Sequence, residues 1–130
     1  MSNERAIMNP LLLAASKAGH RWFRQNVAKA WVGKVLRHTG QTLTLENARV
    51  LHAGLCVGSG DVIGWTRREI TPDMVGQTVA VFTSVEIKTG KTAVRPEQEA
   101  FRRAVVDAGG IAGIVRSVEE GEALFQRGMV

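Results

Sequence analysis

Asp61, Glu86 and Lys88 are the residues of this chain whose types and spacing can do chemistry. Glu86-Ile87-Lys88 closes a run of apolar, strand-forming residues, and upstream the turn Gly58-Ser59-Gly60 delivers Asp61. Side chains at i and i+2 of a strand share a face, so Glu86 and Lys88 project together, about 7 Å apart along the backbone. Two carboxylates from separate elements form a hard oxygen donor set of the kind that magnesium or manganese selects, with the Ile87 carbonyl as a third ligand. At about 4 Å two carboxylates repel by about 4 kcal/mol at an effective dielectric of 20, so such a pair favours a cation. Lys88 beside them is placed to orient or acidify a water and to offset charge on a phosphate. The chemistry that needs all of this is phosphodiester hydrolysis, in which a charged transition state, a water nucleophile and a leaving oxygen must all be served. The bland alternative for the same residues is a solvated strand end with a Glu–Lys pair.

The elements around these residues read as an α/β arrangement. A first helix covers much of residues 4–18 and stops at Gly19. Its start has two readings, Asn9 as N-cap before Pro10, or an earlier start with Pro10 kinking the helix. Residues 20–50 read as short antiparallel strands with turns at Gly33 and at His38-Thr39-Gly40. A strand follows over Asp61–Thr66, and Thr71-Pro72-Asp73 marks a turn. Residues 79–88 read as a central strand, apolar on both faces until its charged carboxyl end. Pro96 opens a helix with the stripe Ala100, Phe101, Ala104, Val105 and Ala108, ended by Gly109-Gly110, and residues 111–115 form the next strand. This strand–helix–strand order predicts two parallel strands, with Asp61 and Glu86 on neighbouring strands of one sheet. Ser117 with Glu120 forms a capping box for a last helix carrying Val118, Leu124 and Phe125.

With 130 residues, 45% of them hydrophobic, the chain is long enough for one core, and it reads as a single domain over residues 1–130. No apolar stretch spans a bilayer and no secretory leader is recognisable, so a soluble, cytoplasmic protein with no membrane partner is expected. The lone Cys56 cannot form an internal disulfide and reads as a small buried residue. The formal charge of +5 permits a polyanionic partner. Its distribution is uneven: residues 1–50 hold Arg5, Lys17, Arg21, Arg24, Lys29, Lys34, Arg37 and Arg49 against Glu4 and Glu46. The first part of the chain is therefore suited to holding phosphates, while the acids of the second part do the chemistry.

Several stretches resemble the virus-type replication-repair nuclease (VRR-NUC) domain of the PD-(D/E)xK superfamily. They are Phe23-Arg24-Gln25-Asn26-Val27 with Ala30-Trp31-Val32-Gly33, Gly58 to Gly64, Val85 to Gly90, Pro96-Glu97-Gln98 with Phe101, and Ala108 to Gly113 leading into Arg116-Ser117. The resemblance implies a restriction-endonuclease-like α/β fold, a mixed central sheet flanked by helices. It further implies a magnesium- or manganese-dependent DNA endonuclease that leaves a 5′ phosphate and a 3′ hydroxyl. Asp61, Glu86 and Lys88 match the core motif, and Gln98 matches a helix glutamine that would hold Lys88 or a water. The family also uses an acid of the first helix, for which Glu4 is the candidate, although Asn9-Pro10 interrupts the helix and separates Glu4 from the metal. Arg24 and Asn26 match a basic strand that contacts DNA, and Lys91 and Arg95 lie in the loop beyond the site, where they are candidate DNA contacts. Trp22, Trp31 and Trp65 are assigned to core packing, with base stacking as the alternative. Standalone members, often phage-encoded, resemble junction-resolving enzymes and tend to be homodimers, which makes four-way junctions the leading substrate class and a homodimer the expected state. The alternatives are a non-catalytic DNA-binding module of the same fold, and a nickase or exonuclease acting on replication intermediates.

Overall fold

In the computed structural model, residues 4–126 are described, the side chain of Phe125 excepted. The chain is mixed α/β, with three helices and six strands among the described residues. It divides into two compact units, Met1–Gly64 and Trp65–Val130.

The amino-terminal unit begins with α1 (Glu4–Lys17), which runs straight through Pro10, so the early start holds and Asn9 is not its N-cap. Gly19 ends the helix at φ +87, with its own N–H on the Ser16 carbonyl and the His20 N–H on the Ala15 carbonyl. That pair of bonds satisfies carbonyls the helix end would otherwise leave open, and the left-handed position is one that glycine takes without strain. Strand β1 (Arg21–Arg24) packs on α1 and pairs with β4 (Val62–Trp65). Between them in sequence stand β2 (Ala28–Thr39) and β3 (Thr42–Ala53), two twelve-residue strands forming one long antiparallel hairpin. Gly40, at φ +57, supplies the turn.

The expected turn at Gly33 is absent, because the chain runs on through it. Opposite Gly33 the partner strand bulges at Asn47-Ala48, with Asn47 at φ +54, and a Cβ on Gly33 would stand 2.8 Å from the Glu46 carbonyl oxygen. The glycine is there to admit the bulge, not to reverse the chain.

The carboxy-terminal unit has β5 (Thr83–Ile87), α2 (Pro96–Asp107), β6 (Ile111–Val115) and α3 (Val118–Gln126), after a short turn of 3-10 helix at Pro72–Met74. β5 and β6 are parallel as expected, in one-to-one register from Thr83↔Ile111 to Ile87↔Val115. The strand is shorter than the apolar run of residues 79–88. Its partner sets the length: α2 ends in the same motif as α1, with Gly109 at φ +94 and the Gly110 N–H on the Val105 carbonyl, so β6 cannot start before Ile111. The core of this unit is Val105, Ala112, Val115 and Leu124, with the Trp65 ring tilted against Phe82 at 4.9 Å and edge-on to Phe101 at 6.0 Å. Gly113 gives Leu124 its seat, since a Cβ there would come within 2.7 Å of the leucine methyls. The last helix starts as its sequence signals: the Glu120 N–H bonds the Ser117 hydroxyl, and the Glu120 carboxylate reaches back to the Arg116 N–H.

Among the described residues the strands pair as three two-stranded ladders, β1 with β4, β2 with β3 and β5 with β6. Further expectations are corrected. β5 is not buried on both faces, for Val85 is 42% and Ile87 74% exposed. Cys56 and Trp31 are exposed, neither being part of a core. Among the described residues no helix is long and apolar enough to cross a membrane.

Candidate active site

The carboxyl end of β5 carries a compact polar array. Strand alternation turns Ser84, Glu86 and Lys88 toward one side and Thr83, Val85 and Ile87 toward the other, and the polar set is the less exposed of the two. The Lys88 side chain is only 11% exposed and its ammonium lies 3.5 Å from Glu86 Oε1. The Lys88 N–H donates to the Val115 carbonyl, carrying the ladder one residue past the strand and fixing where the side chain leaves the backbone. A lysine this enclosed must keep a carboxylate beside it, because an ammonium without a counter-charge is costly to remove from water.

Gln98 supplies the third member. It stands in the first turn of α2, three residues after Arg95, where its Oε1 accepts the Arg95 N–H at 3.0 Å. That bond settles the amide's orientation. Its Nε2 is thereby turned outward and donates to Glu86 Oε1 at 2.6 Å. The glutamine thus holds Glu86, where Lys88 or a water was the expected partner. Among the described residues both contacts fall on Oε1, and the Glu86 side chain is 41% exposed. Ser84, Phe101, Gly113 and Ile114 line the same recess.

The loop after Lys88 is tied down from a distance. Arg116, at the end of β6, donates from one terminal nitrogen to the Gly90 carbonyl at 2.7 Å and from the other to the Thr92 carbonyl at 2.6 Å. Lys91, between those carbonyls, and Arg95, at the far end of the loop, are both exposed, and Arg95 lies 3.6 Å from Glu97. Further along α2, Arg102 grips Glu99 through two bonds of 2.8 and 2.6 Å. The hydrogen bond from Arg102 is the main reason that the Glu99 carboxyl is held below its ordinary range, with partial desolvation opposing it.

Asp61 belongs to the amino-terminal unit. Its carbonyl accepts the Gln25 N–H at 2.9 Å, and the Gly58-Ser59-Gly60 turn before it is held by the Gln25 side chain. Gln25 Nε2 donates to Ser59 Oγ at 2.6 Å and to the Gly60 carbonyl at 2.8 Å, while its Oε1 accepts the Leu55 N–H at 3.2 Å. Ser59 Oγ in turn donates to the Cys56 carbonyl. One amide therefore closes the loop that presents Asp61, whose side chain is exposed at the mouth of a recess lined by Gln25, Asn26, Val27, Val57, Gly58 and Ser59. Arg24, the last residue of β1, and Asn26, which lies past the end of the strand it was assigned to, are exposed on either side of Gln25. Glu4 lies exposed in the first turn of α1.

The structure thus brings Glu86, Lys88 and Gln98 together in one unit, and in the other it places Asp61 beside Asn26. Among the described residues no three His, Cys, Asp or Glu side chains group as metal ligands, so Glu4 is not joined to a three-carboxylate cluster. Two residues that shape these surroundings, Gln25 and Arg116, carried no assigned role in the sequence. Gln25 stands between Arg24 and Asn26, inside a stretch already singled out, which was a usable signal. Arg116 had none, because its partners lie more than twenty residues away in the chain. Compared with family models, curated proteins and solved structures, the chain matches none.

Proposed function

We propose that this chain is a magnesium- or manganese-dependent DNA endonuclease of the VRR-NUC type, with the restriction-endonuclease-like fold and a preference for branched DNA such as four-way junctions. The observation that carries the reading is the array at the end of β5, an enclosed Lys88 against Glu86 with Gln98 fastening the same carboxylate oxygen. A structural ion pair needs no such arrangement. Both contacts of Glu86 fall on one oxygen of a partly exposed side chain, and Asp61 is exposed on a braced turn, so both carboxylates fit a hard cation.

In this reading Glu86, Asp61 and the Ile87 carbonyl hold the ion. When bound it supplies charge neutralisation at the phosphate and a water of lowered pKa. The chain's own groups do the rest. Lys88 directs a proton-bearing ammonium at the nucleophile's position and offsets phosphate charge as it develops. Gln98 keeps Glu86 from rotating to pair fully with Lys88, so its second oxygen stays available. Gln25 holds the Asp61 turn, and Arg24 with Asn26 on the basic half, and Lys91 with Arg95 beyond β5, contact the DNA backbone. Two copies of the chain acting together suit the two symmetric cuts a four-way junction needs.

The test is cleavage of linear duplex, single-stranded, flap and four-way junction DNA with magnesium, manganese or EDTA. Cleavage is expected only with a cation, falling at least about a hundredfold in Lys88→Ala and Asp61→Ala, the scale of a lost transition-state contact. Gln98→Ala should fall about tenfold, as expected for a group that orients a ligand. Cutting in EDTA, or full activity in both primary variants, rejects the site. Salt-sensitive binding without cutting makes the chain a binding module instead.

A further inference from the structure

The turn that follows Lys88 is closed twice over. The Thr92 N–H and the Thr92 hydroxyl both donate to the Thr89 carbonyl, at 3.1 and 2.7 Å, and between them Gly90 takes φ +54, a value open to glycine without strain at the second place of a turn. Arg116 then spans the turn from the end of β6, with one terminal nitrogen on the Gly90 carbonyl and the other on the Thr92 carbonyl. The carbonyls before and after Lys91 are thereby fixed. Lys91 itself is exposed on this braced support.

We propose that Arg116 is a positioning residue, which holds Lys91 ready for a phosphate beside the one being cut; for DNA as the source of that phosphate this rests on the nuclease reading. The charges of the turn point to an anion. Residues 87–96 include Lys88, Lys91 and Arg95 and no acid. Lys88 is held against Glu86 and Arg95 lies near Glu97, whereas among the described residues no ion pair engages Lys91 or Arg116. The Arg116 guanidinium is spent on two neutral carbonyls, and the Glu120 carboxylate takes its backbone N–H. A neutral donor would close the turn as well. Two cations on one turn repel each other, and an anion between them relieves that cost.

The placement fits a strand already held at the array. Lys91 stands three residues beyond Lys88, within about 11 Å of it along the chain even at full stretch, so the phosphate it takes is a close neighbour of the one at Lys88. The Lys88 N–H is bonded to the Val115 carbonyl, so the residue that fixes Lys88 and the residue that fixes the turn are consecutive on β6. A lysine on a loose loop loses backbone freedom when it binds. Here the fork of Arg116 has removed that freedom beforehand, and a planar guanidinium can grip both carbonyls at once where an ammonium cannot.

Binding of a fluorescein-labelled four-way junction to the full chain, read by anisotropy in EDTA over a series of salt concentrations, tests it. Lys91→Ala should weaken binding about fivefold and lower the slope of log affinity against log salt by about 1, as one lost phosphate contact does. Arg116→Ala should do the same, and the double variant should be no weaker than either single one. Arg116→Lys keeps the charge and loses the fork, so it should bind as weakly as Arg116→Ala, while Lys91→Arg should bind as wild type does. Arg116 is exposed, and the far-ultraviolet circular dichroism spectrum should be the same for every variant. Losses that multiply to about twenty-five-fold in the double variant, with the slope lowered by about 2, make Arg116 a contact in its own right and overturn the proposal. So do wild-type binding in Lys91→Ala, Arg116→Ala or Arg116→Lys, and a wild-type chain that binds no DNA. Cleavage with magnesium or manganese is scored separately. A chain that shows these slopes and never cuts refutes the nuclease reading and supports the role of Arg116, whereas one that cuts, with binding unchanged in both alanine variants, refutes that role alone.

Discussion

The long hairpin of the amino-terminal unit and the parallel pair of the carboxy-terminal unit are built from similarly apolar strands and end in opposite states. None of the twenty-four hairpin positions is buried, whereas β6 buries Ala112 and Val115 and half-covers the rest. The cause lies in how each pair is joined. Antiparallel strands are linked by a short turn, here at Gly40, and need no crossover element. Parallel strands must be joined by a crossover, and here the crossover is α2, which lies against the pair it connects. A parallel pair therefore arrives with its own cover and a hairpin does not. The polar array depends on that cover, because the helix that closes the β5–β6 crossover is also the one that carries Gln98 to Glu86.

The contrast is sharpest for one substitution made twice. Val105, at 1% exposure, is the most enclosed large side chain among the described residues, and Val105→Ala should lower unfolding free energy by about 2 kcal/mol through lost burial and the cavity left. Val35→Ala, at 56% exposure, should cost within about 0.5 kcal/mol, as at other open surface positions. Urea denaturation measures both, and equal losses would break the comparison.

Next in size is the restraint on the loop after β5. Arg116→Ala removes two charge-assisted bonds to the Gly90 and Thr92 carbonyls, and tryptic cleavage after Lys91 in the folded protein should rise about tenfold or more, the factor expected for about 1.5–3 kcal/mol of local opening. An unchanged digestion rate would mean that the loop is held by its own turn alone.

The smallest effect belongs to the exposed pair on α2. Because Arg102 lowers the Glu99 carboxyl below its ordinary 4.5, the pair stabilises the folded chain above that pH, and the contribution is lost as pH falls through the lowered value. The difference in Tm between wild type and Glu99→Gln should be slight at pH 7 and close as pH falls below the ordinary carboxylate range. A gap that widens in acid would reverse the sign.

Much of the carboxy-terminal unit was legible in the sequence. Pro96 and Gly109 bounded α2 correctly, the apolar stripe pointed to Val105, and the strand–helix–strand order implied the parallel pair that is observed. Gln98 was singled out as a residue that holds a neighbour, while its partner was misassigned, since the order of residues along a helix does not say which strand side chain lies beneath. The hairpin was harder to read. Gly33 looks like a turn because glycine is as common in turns as opposite bulges, and only the partner strand distinguishes the two. Trp31 looks like core because aromatic residues usually are, and nothing local reports whether a layer lies over them.

What the sequence determined alone was local: the helix-ending glycines 19 and 109, the Gly40 turn, and the face shared by Glu86 and Lys88, all of them set by sterics and alternation within a few residues. Tertiary structure decided how far β5 runs, which of its faces is covered, and which oxygen Gln98 holds. Those depend on where a partner strand begins and where a helix comes to rest, and a chain read one window at a time holds no energy term linking such distant groups.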